Sequence, residues 1–378
     1  MREEILRVAG RVVDIAATMD VCCEAFVQRR RQTSVVIEAG RVTFGAQDGD
    51  YGIGIRVING RRTGYAFCDE RSIEFGLKQA LSLSRFSKPG KYGFPGDCGY
   101  GGRRSIFDNA VATMVTEDGI TLARDLIEGA AFDSRATPSR GGLSFGVTAY
   151  AVANSNGVSA FDEGTYIGGS MMSVLKEDGV ILNGDHSEVS RSRDFSFEEV
   201  GRKATEQAIG QLGQQAVETA TMDVILRPEA VFDVLANTVM PMFSGEAVRK
   251  GESVYAGRMG EAVAAAGISI VDDATHPRGL NTFLSDEEGY PSRRTVLVDR
   301  GTLGALLYDT FDALEASGSA ESGGMPTGNA LHAERGEGGT SYKVAPATFA
   351  RNIVLEGETM GEEEMIRGVR EGIIVDNV

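Results

Sequence analysis

The sequence contains no tryptophan, and its 378 residues include only three histidines (His186, His276, His332) and four cysteines (Cys22, Cys23, Cys68, Cys98). Without tryptophan, an aromatic cage or base-stacking platform has to come from Tyr or Phe. No C-x-x-C occurs, and so few histidines assemble no familiar zinc spacing. The cysteines therefore read as buried thiols. Positive charge is also in deficit: 38 Lys and Arg against 54 Asp and Glu give a net charge of -16 and a pI of about 4.8. Such a surface repels a nucleic-acid backbone, so no DNA or RNA partner is expected. No window reaches about 18 uninterrupted apolar residues. The amino-terminal MREEILRVAG is charged and amphipathic rather than secretory. The expectation is a soluble cytoplasmic protein without a membrane partner.

What the chain has in excess is glycine, 49 residues, nearly twice the usual share of about 7%. The glycines are scattered among apolar runs, as turns and bulges require. Residues 3–18 carry apolar positions at helical spacing. CCEAFVQRR, TSVVIEAG, RVTFGAQDG, YGIGIRVI and RRTGYAFCD then read as separate strands of a meander, with turns at Asn59-Gly60 and near 48–50. A helix over 72–84 follows. The segment FSKPGKYGFPGDCGYGG (86–102) is irregular and has no phosphate-loop motif. A helix over 121–132 precedes a second meander with an Asn156-Gly157 turn. Asp185, His186 and Glu188 read as a solvated turn. Ser196 and Glu199 are spaced as a capping box for the next helix. The expected fold is α+β in two domains: antiparallel meanders with packed helices over 1–217, and a β-rich domain over 218–378.

In the second half, Pro228 is placed to open a helix that Pro241 ends. A zinc-peptidase helix of the H-E-x-x-H kind holds metal through histidines on one face. No histidine lies between His186 and His276, so this helix cannot build such a site by itself. Ser244 sits in S-G-E-A-V-R-K, which is neither S-x-x-K nor G-x-S-x-G. The candidate cleft or partner-facing residues are Ser244, Glu246, Arg249, Lys250, Asp273, Asp286, Glu288, Arg293, Arg294 and Asn329. ISIVDD and TVLV read as strands, SGSAESGGMPTGNALH as an irregular recognition loop, and the final IIVDNV as the start of a strand with an edge to cover.

PEAVFDVLANTVMPMFSGEAVRKGESVYAGRMGEAV, ISIVDD, LSDEEGYPSRRTVLVDRGTLGALLYDTFDA and SGGMPTGNA together resemble the TldD/PmbA family, also called modulator of DNA gyrase or peptidase U62. The meander GIGIRVINGRRTGYAF extends the resemblance over nearly the whole chain. TldD-type members carry an H-E-x-x-x-H zinc motif on the helix that opens the second domain, and PmbA/TldE-type members lack it. VLANTVMPMFSGEAV stands here where that helix is expected, so the chain is similar to the TldE side. The resemblance implies no catalytic or metal residue in this chain, zinc in a TldD-type partner, and unfolded or short peptides as substrates of the pair. The family usually continues for several tens of residues past Val378, which implies a shortened second domain. Two further readings stay open: an independent hydrolase with a divalent metal bound by the Asp and Glu residues of 272–288, and a homodimeric peptide-binding module without catalysis.

Overall fold

The computed structural model describes residues 1–100, 106–318, 324–333 and 340–376. It opens on α1 (Arg2–Thr18), whose buried Ile5, Val8, Ala9, Val12 and Ala16 form one apolar stripe. Strands β1 (Cys22–Glu38), β2 (Arg41–Asn59) and β3 (Arg62–Cys68) lead to α2 (Ile73–Leu83). After a short α3 (Asn109–Ala112) the same order repeats: α4 (Thr116–Ala130), β4 (Ala136–Asn154), β5 (Ser159–Glu177), β6 (Val180–Ser190) and α5 (Phe197–Gly210). The Asn-Gly turns form where expected, with Gly60 and Gly157 at φ 60° and 90°.

The two meanders are halves of one six-stranded sheet, ordered β3-β2-β1-β4-β5-β6. The seam is β1 against β4, antiparallel from Glu24↔Asn154 to Glu38↔Arg140. The breaks expected within the first meander are absent, and β1 and β2 run unbroken for 17 and 19 residues. Their polar middles stay paired, Arg30 opposite Asp50 and Gln32 opposite Asp48, so opposed side chains replace a turn. Asp185, His186 and Glu188 likewise lie within β6. The turn there is made by Asp178 and Gly179, both at positive φ. Helix α4 starts at Thr116 rather than 121, because the Asp118 carboxylate accepts the Val115 amide and caps an earlier first turn.

Side chains alternate across the sheet. Cys23, Ala25, Val27, Ile53, Ile55 and Val57 pack against α1 and α2, while Val35, Ile37, Leu143 and Phe145 pack against α4 and α5. On the opposite face, Phe26, Gln28, Arg56 and Tyr150 meet the carboxy-terminal half. That half runs β7 (Asp223–Leu226), α6 (Pro228–Val234), α7 (Gly245–Lys250), β8 (Ile268–Asp273), β9 (Arg294–Asp299), β10 (Thr302–Leu303), α8 (Thr310–Glu315), β11 (Ala330–Leu331), β12 (Ala347–Thr348), β13 (Ile353–Gly357), α9 (Glu362–Gly368) and β14 (Gly372–Val375). Its main sheet is β10-β9-β8-β13, and β14 pairs in parallel with β7. The architecture is α+β, with mainly antiparallel sheets. Residues 101–102 and 319–323 of the two irregular segments, and 377–378 of the final run, lie outside the described residues. Among the described residues no helix is long and apolar enough to cross a membrane.

Candidate functional site

Pro228 occupies the first turn of α6, where its missing N–H is no loss. After Val234 the helix does not stop. It widens into a π-helical turn over Leu235–Val239 and tightens to a 3₁₀ turn over Met240–Phe243. The chain thus passes through Pro241, at the start of a turn that needs no N–H from it. Ser244 then caps α7, its hydroxyl accepting the Glu246 amide at 3.2 Å. Main-chain bonds join this bend to Leu307, with Leu307 N donating to Phe243 O at 2.8 Å and Gly245 N to Leu307 O at 2.7 Å.

Beside this helix lies an open cleft of about 750 Å³, within the range of roughly 300–1,000 Å³ common for ligand sites. Apolar side chains line much of it, among them Phe232, Met240, Leu280 and Phe349, interspersed with Asn237, Ser244, Asn281, Thr340, Thr348 and Asn352. Arg351 is the only charged residue among the described lining residues. Thr340 is held from across the molecule, since Gln28 of β1 donates to its hydroxyl at 2.9 Å. The wall of the cleft is therefore anchored on the amino-terminal sheet. Gly52 of β2 permits that docking, because a Cβ there would lie 2.1 Å from the Tyr342 ring.

The π-helical turn bears on the missing metal motif. In a regular α-helix, residues five apart point about 140° away from one another. A turn closed by i→i+5 bonds brings such residues toward one face. Three pairs five apart on this stretch line the cleft: Phe232 with Asn237, Ala236 with Pro241, and Asn237 with Met242. None of these residues is a histidine, and the described lining contains no histidine, cysteine or carboxylate. This described donor set does not fit a zinc ion.

The predicted site residues divide into three groups. Ser244 lines the cleft. Glu246 and Lys250 pair with each other at 2.7 Å, Arg294 pairs with Glu356 at 2.6 Å, and Arg293 is exposed. The remainder tie neighbouring segments together. Arg249 contacts Asp312 at 2.7 Å and lies over Phe311. Asp273 accepts the amide and hydroxyl of Thr275, and Asn329 donates to Asp272 at 2.6 Å. Asp286 accepts the amides of Glu288, Tyr290 and Ala330. Glu288 accepts the amide and hydroxyl of Thr310 with one oxygen and meets Arg56 at 2.6 Å with the other. The acids of 272–288 are thus occupied by protein donors. Among the described residues no group of three or more His, Cys, Asp or Glu side chains could hold a metal ion.

Arg56 also meets Glu24, directly opposite it on β1, at 2.9 Å. Both contacts lie within ion-pair distance but lack hydrogen-bond alignment. Nearby, the His332 ring stacks on Phe26 at 4.1 Å, and its Nδ1, 2.6 Å from the Val344 carbonyl, carries the proton. Burial pushes His332 down to about 3, so it is neutral. Burial, followed by the charges of Glu288 and Asp286, pushes Glu24 up to about 8 despite Arg56. Asp286 is pushed up to about 7 by burial and then by Glu288, and Glu287 to about 7 by burial.

These three carboxyls bind protons more tightly folded than unfolded. Their stabilising contribution is full below about pH 4 and is lost as pH rises through about 7 to 8. Urea midpoints measured across pH 5–8 are expected to fall with pH. Glu24→Gln should remove up to about 1.4 kcal/mol per pH unit of that slope. An unchanged slope in this variant would show that Glu24 does not titrate in the interval.

The strip that supplies Phe349, Arg351 and Asn352 to the cleft carried no recognised motif in the sequence. Its one local signal is a polar Arg-Asn pair inside the apolar run TFARNIVL. Family models described as PmbA/TldA metallopeptidase domain 1, central domain and C-terminal domain match residues 23–84, 109–212 and 219–378. An uncharacterized protein of Methanocaldococcus jannaschii is 32% identical over 306 residues, which is 79% of this chain and 67% of that protein. A Haemophilus influenzae protein named as a metalloprotease TldD homolog is 25% identical over 93% of this chain and 73% of its own. The crystal structure of TldE from Thermococcus kodakarensis superposes with a TM-score of 0.83 at 21% identity, covering 99% of this chain and 82% of that one. With family models over three consecutive segments and a relative aligned over most of both chains, the protein belongs to the PmbA/TldD family.

Proposed function

We propose that this chain is a PmbA/TldE-like, non-catalytic subunit of a cytoplasmic zinc metalloprotease that acts on unfolded or short peptides. Its cleft receives part of the peptide, and the zinc is held by a TldD-type subunit bearing H-E-x-x-x-H. One observation carries this reading. The stretch that borders the cleft brings pairs of positions five apart to the same wall, as an H-E-x-x-x-H pair needs, yet these are Phe232 with Asn237, Ala236 with Pro241, and Asn237 with Met242, none of them a histidine. Likeness to a protein named TldE and to one named a metalloprotease TldD homolog supports the same division of labour.

Within this reading the chain's residues bind and orient peptide. The apolar lining takes up side chains, while Asn237 and Asn281 offer amide groups to a peptide main chain. Affinity capture from native cell extract, with sequencing of what is retained, tests the partnership. The expected result is stoichiometric recovery of a family member carrying H-E-x-x-x-H. Recovery of the chain only with itself, from cells that express such a member, would overturn it.

A further inference from the structure

The two halves of the molecule have separate apolar cores. Those of the amino-terminal half are built around residues such as Ile55 and Phe145, and that of the carboxy-terminal half around Phe243, Leu297 and Leu307. Where the halves meet, the buried apolar cluster is small: Phe26, Tyr150, Val152, Val158, Ala160 and Tyr342. Beside it lies a set of buried acids with one guanidinium among them. Arg56 of β2 is 2.9 Å from Glu24 on β1 and 2.6 Å from Glu288 in the carboxy-terminal half. Both Glu24 oxygens and one Glu288 oxygen lack a hydrogen bond. Asp286, Glu287 and Asp309 are also buried. The charges of Glu288 and Asp286 act on Glu24, and that of Glu288 acts on Asp286 and Asp309.

Among the described residues no cation other than Arg56 forms an ion pair with these acids. Arg249 is taken by Asp312 at 2.7 Å, and Arg351 acts on Asp286 and Glu287 only through its charge. The remaining titratable neighbours stay neutral, since burial keeps Tyr65 of β3 and Cys23 of β1 protonated and His332 unprotonated. Asn154, opposite Glu24 on β4, carries no charge. With Glu24, Asp286 and Glu287 protonated, Arg56 is balanced by Glu288. Once they ionise, carboxylates crowd a site closed to water, and separating the surfaces lets water solvate each of them. The same contact holds the cleft wall. Gln28 binds the Thr340 hydroxyl and accepts the Tyr342 amide, Glu287 accepts the His332 amide, and the His332 carbonyl accepts the Ser341 amide at 2.7 Å.

We propose that this contact is a pH-operated catch: while its acids are protonated the carboxy-terminal half stays docked on the sheet, and their ionisation releases the contact and the cleft wall at Thr340 without unfolding either half. The sign follows from burial, which pushes Glu24 up to about 8 and Asp286 and Glu287 to about 7. The docked form therefore holds protons that the released form gives up, and docking is strongest at low pH and weakens as pH rises through about 7 to 8. Each acid weakens it by up to about tenfold per pH unit.

Amide hydrogen exchange on the full chain at pH 5.5 and 8.5, with each rate corrected for its intrinsic chemical rate, tests the catch. The amides of Leu284, Ser341 and Tyr342, which bond to Asp162, His332 and Gln28, are expected to lose protection about tenfold or more between the two values. At pH 8.5 they should also exchange about tenfold or more faster than the β1-β4 and β8-β13 ladders. E24Q should shrink the loss with pH. Contact amides that exchange as slowly as the ladders at pH 8.5 overturn the inference, because the acids then act only on global unfolding. Fast exchange of the contact amides at both values overturns it as well. If E24Q does not fold, the wild-type comparison decides.

Discussion

Replacement of Arg56 by methionine is expected to destabilise the chain by about 3 kcal/mol at pH 8, and by less at pH 5. The guanidinium lies between Glu24 at 2.9 Å and Glu288 at 2.6 Å, with side-chain exposures of 11%, 1% and 0% for Arg56, Glu24 and Glu288. Removing it leaves two acids facing each other without a cation in a site closed to water. Each must then keep a proton or bear an uncompensated charge, and keeping the proton becomes harder as pH rises. Burial already holds the Glu24 carboxyl up at about 8 with the arginine present. Hence the cost grows with pH. The double variant Glu24→Gln with Arg56→Met should recover part of the loss, because one of the facing acids is then neutral. Urea unfolding of the four proteins at pH 5 and 8 measures this. A single variant as stable as the parent at both values would show that the contact is not a structural tie.

The second large effect is expected at Gly129, where alanine should cost about 3 kcal/mol. A Cβ on Gly129 would lie 1.9 Å from the Glu198 carbonyl oxygen and 2.6 Å from its carbon, and one on Gly201 would lie 2.1 Å from the Leu126 carbonyl oxygen. The two glycines thus let α4 and α5 meet backbone to backbone, so no side chain can move aside to relieve the clash. Separating the helices also loosens the Thr205 hydroxyl, which lies 2.7 Å from both the Ala130 carbonyl and the Ser173 hydroxyl. Gly10 on α1 is the control: nothing lies within 4 Å of its added Cβ, and Gly10→Ala should stabilise by roughly 0.5–1 kcal/mol through helix propensity. Similar urea midpoints for Gly129→Ala and Gly10→Ala would refute the tight crossing.

Elements governed by neighbouring residues were legible in the sequence. The apolar spacing of 3–18, the Asn-Gly turns, the Ser196 cap and the strand ISIVDD all depend on local chemistry, and each forms. Strand partners are chosen over long separations, so the pairing of β1 with β4 that merges the meanders had no local mark. The unbroken β2 had none either, since Gly49 and Asp50 read as a turn until Arg30 and Arg31 lie opposite them.

The same limit applies to the site. Asp286 and Glu288 read in sequence as cleft or partner-facing charges, whereas the burial of Asp286, Glu287 and Glu288 depends on amides contributed by 290, 310, 330 and 332. The helix that opens at Pro228 was legible as a helix, because proline at a first turn is a local signal. The strip over 348–353 was missed because its residues acquire meaning only when the fold brings them to the wall of a cleft.

The central claim concerns where the chemistry resides. It is tested most directly by hydrolysis of an unfolded peptide in the presence of Zn²⁺, with this chain alone and with a family member that carries H-E-x-x-x-H. The account predicts no cleavage by this chain alone, and cleavage by the mixture that a chelator abolishes. Chelator-sensitive cleavage by the purified chain alone, at a rate comparable to the mixture, would contradict it.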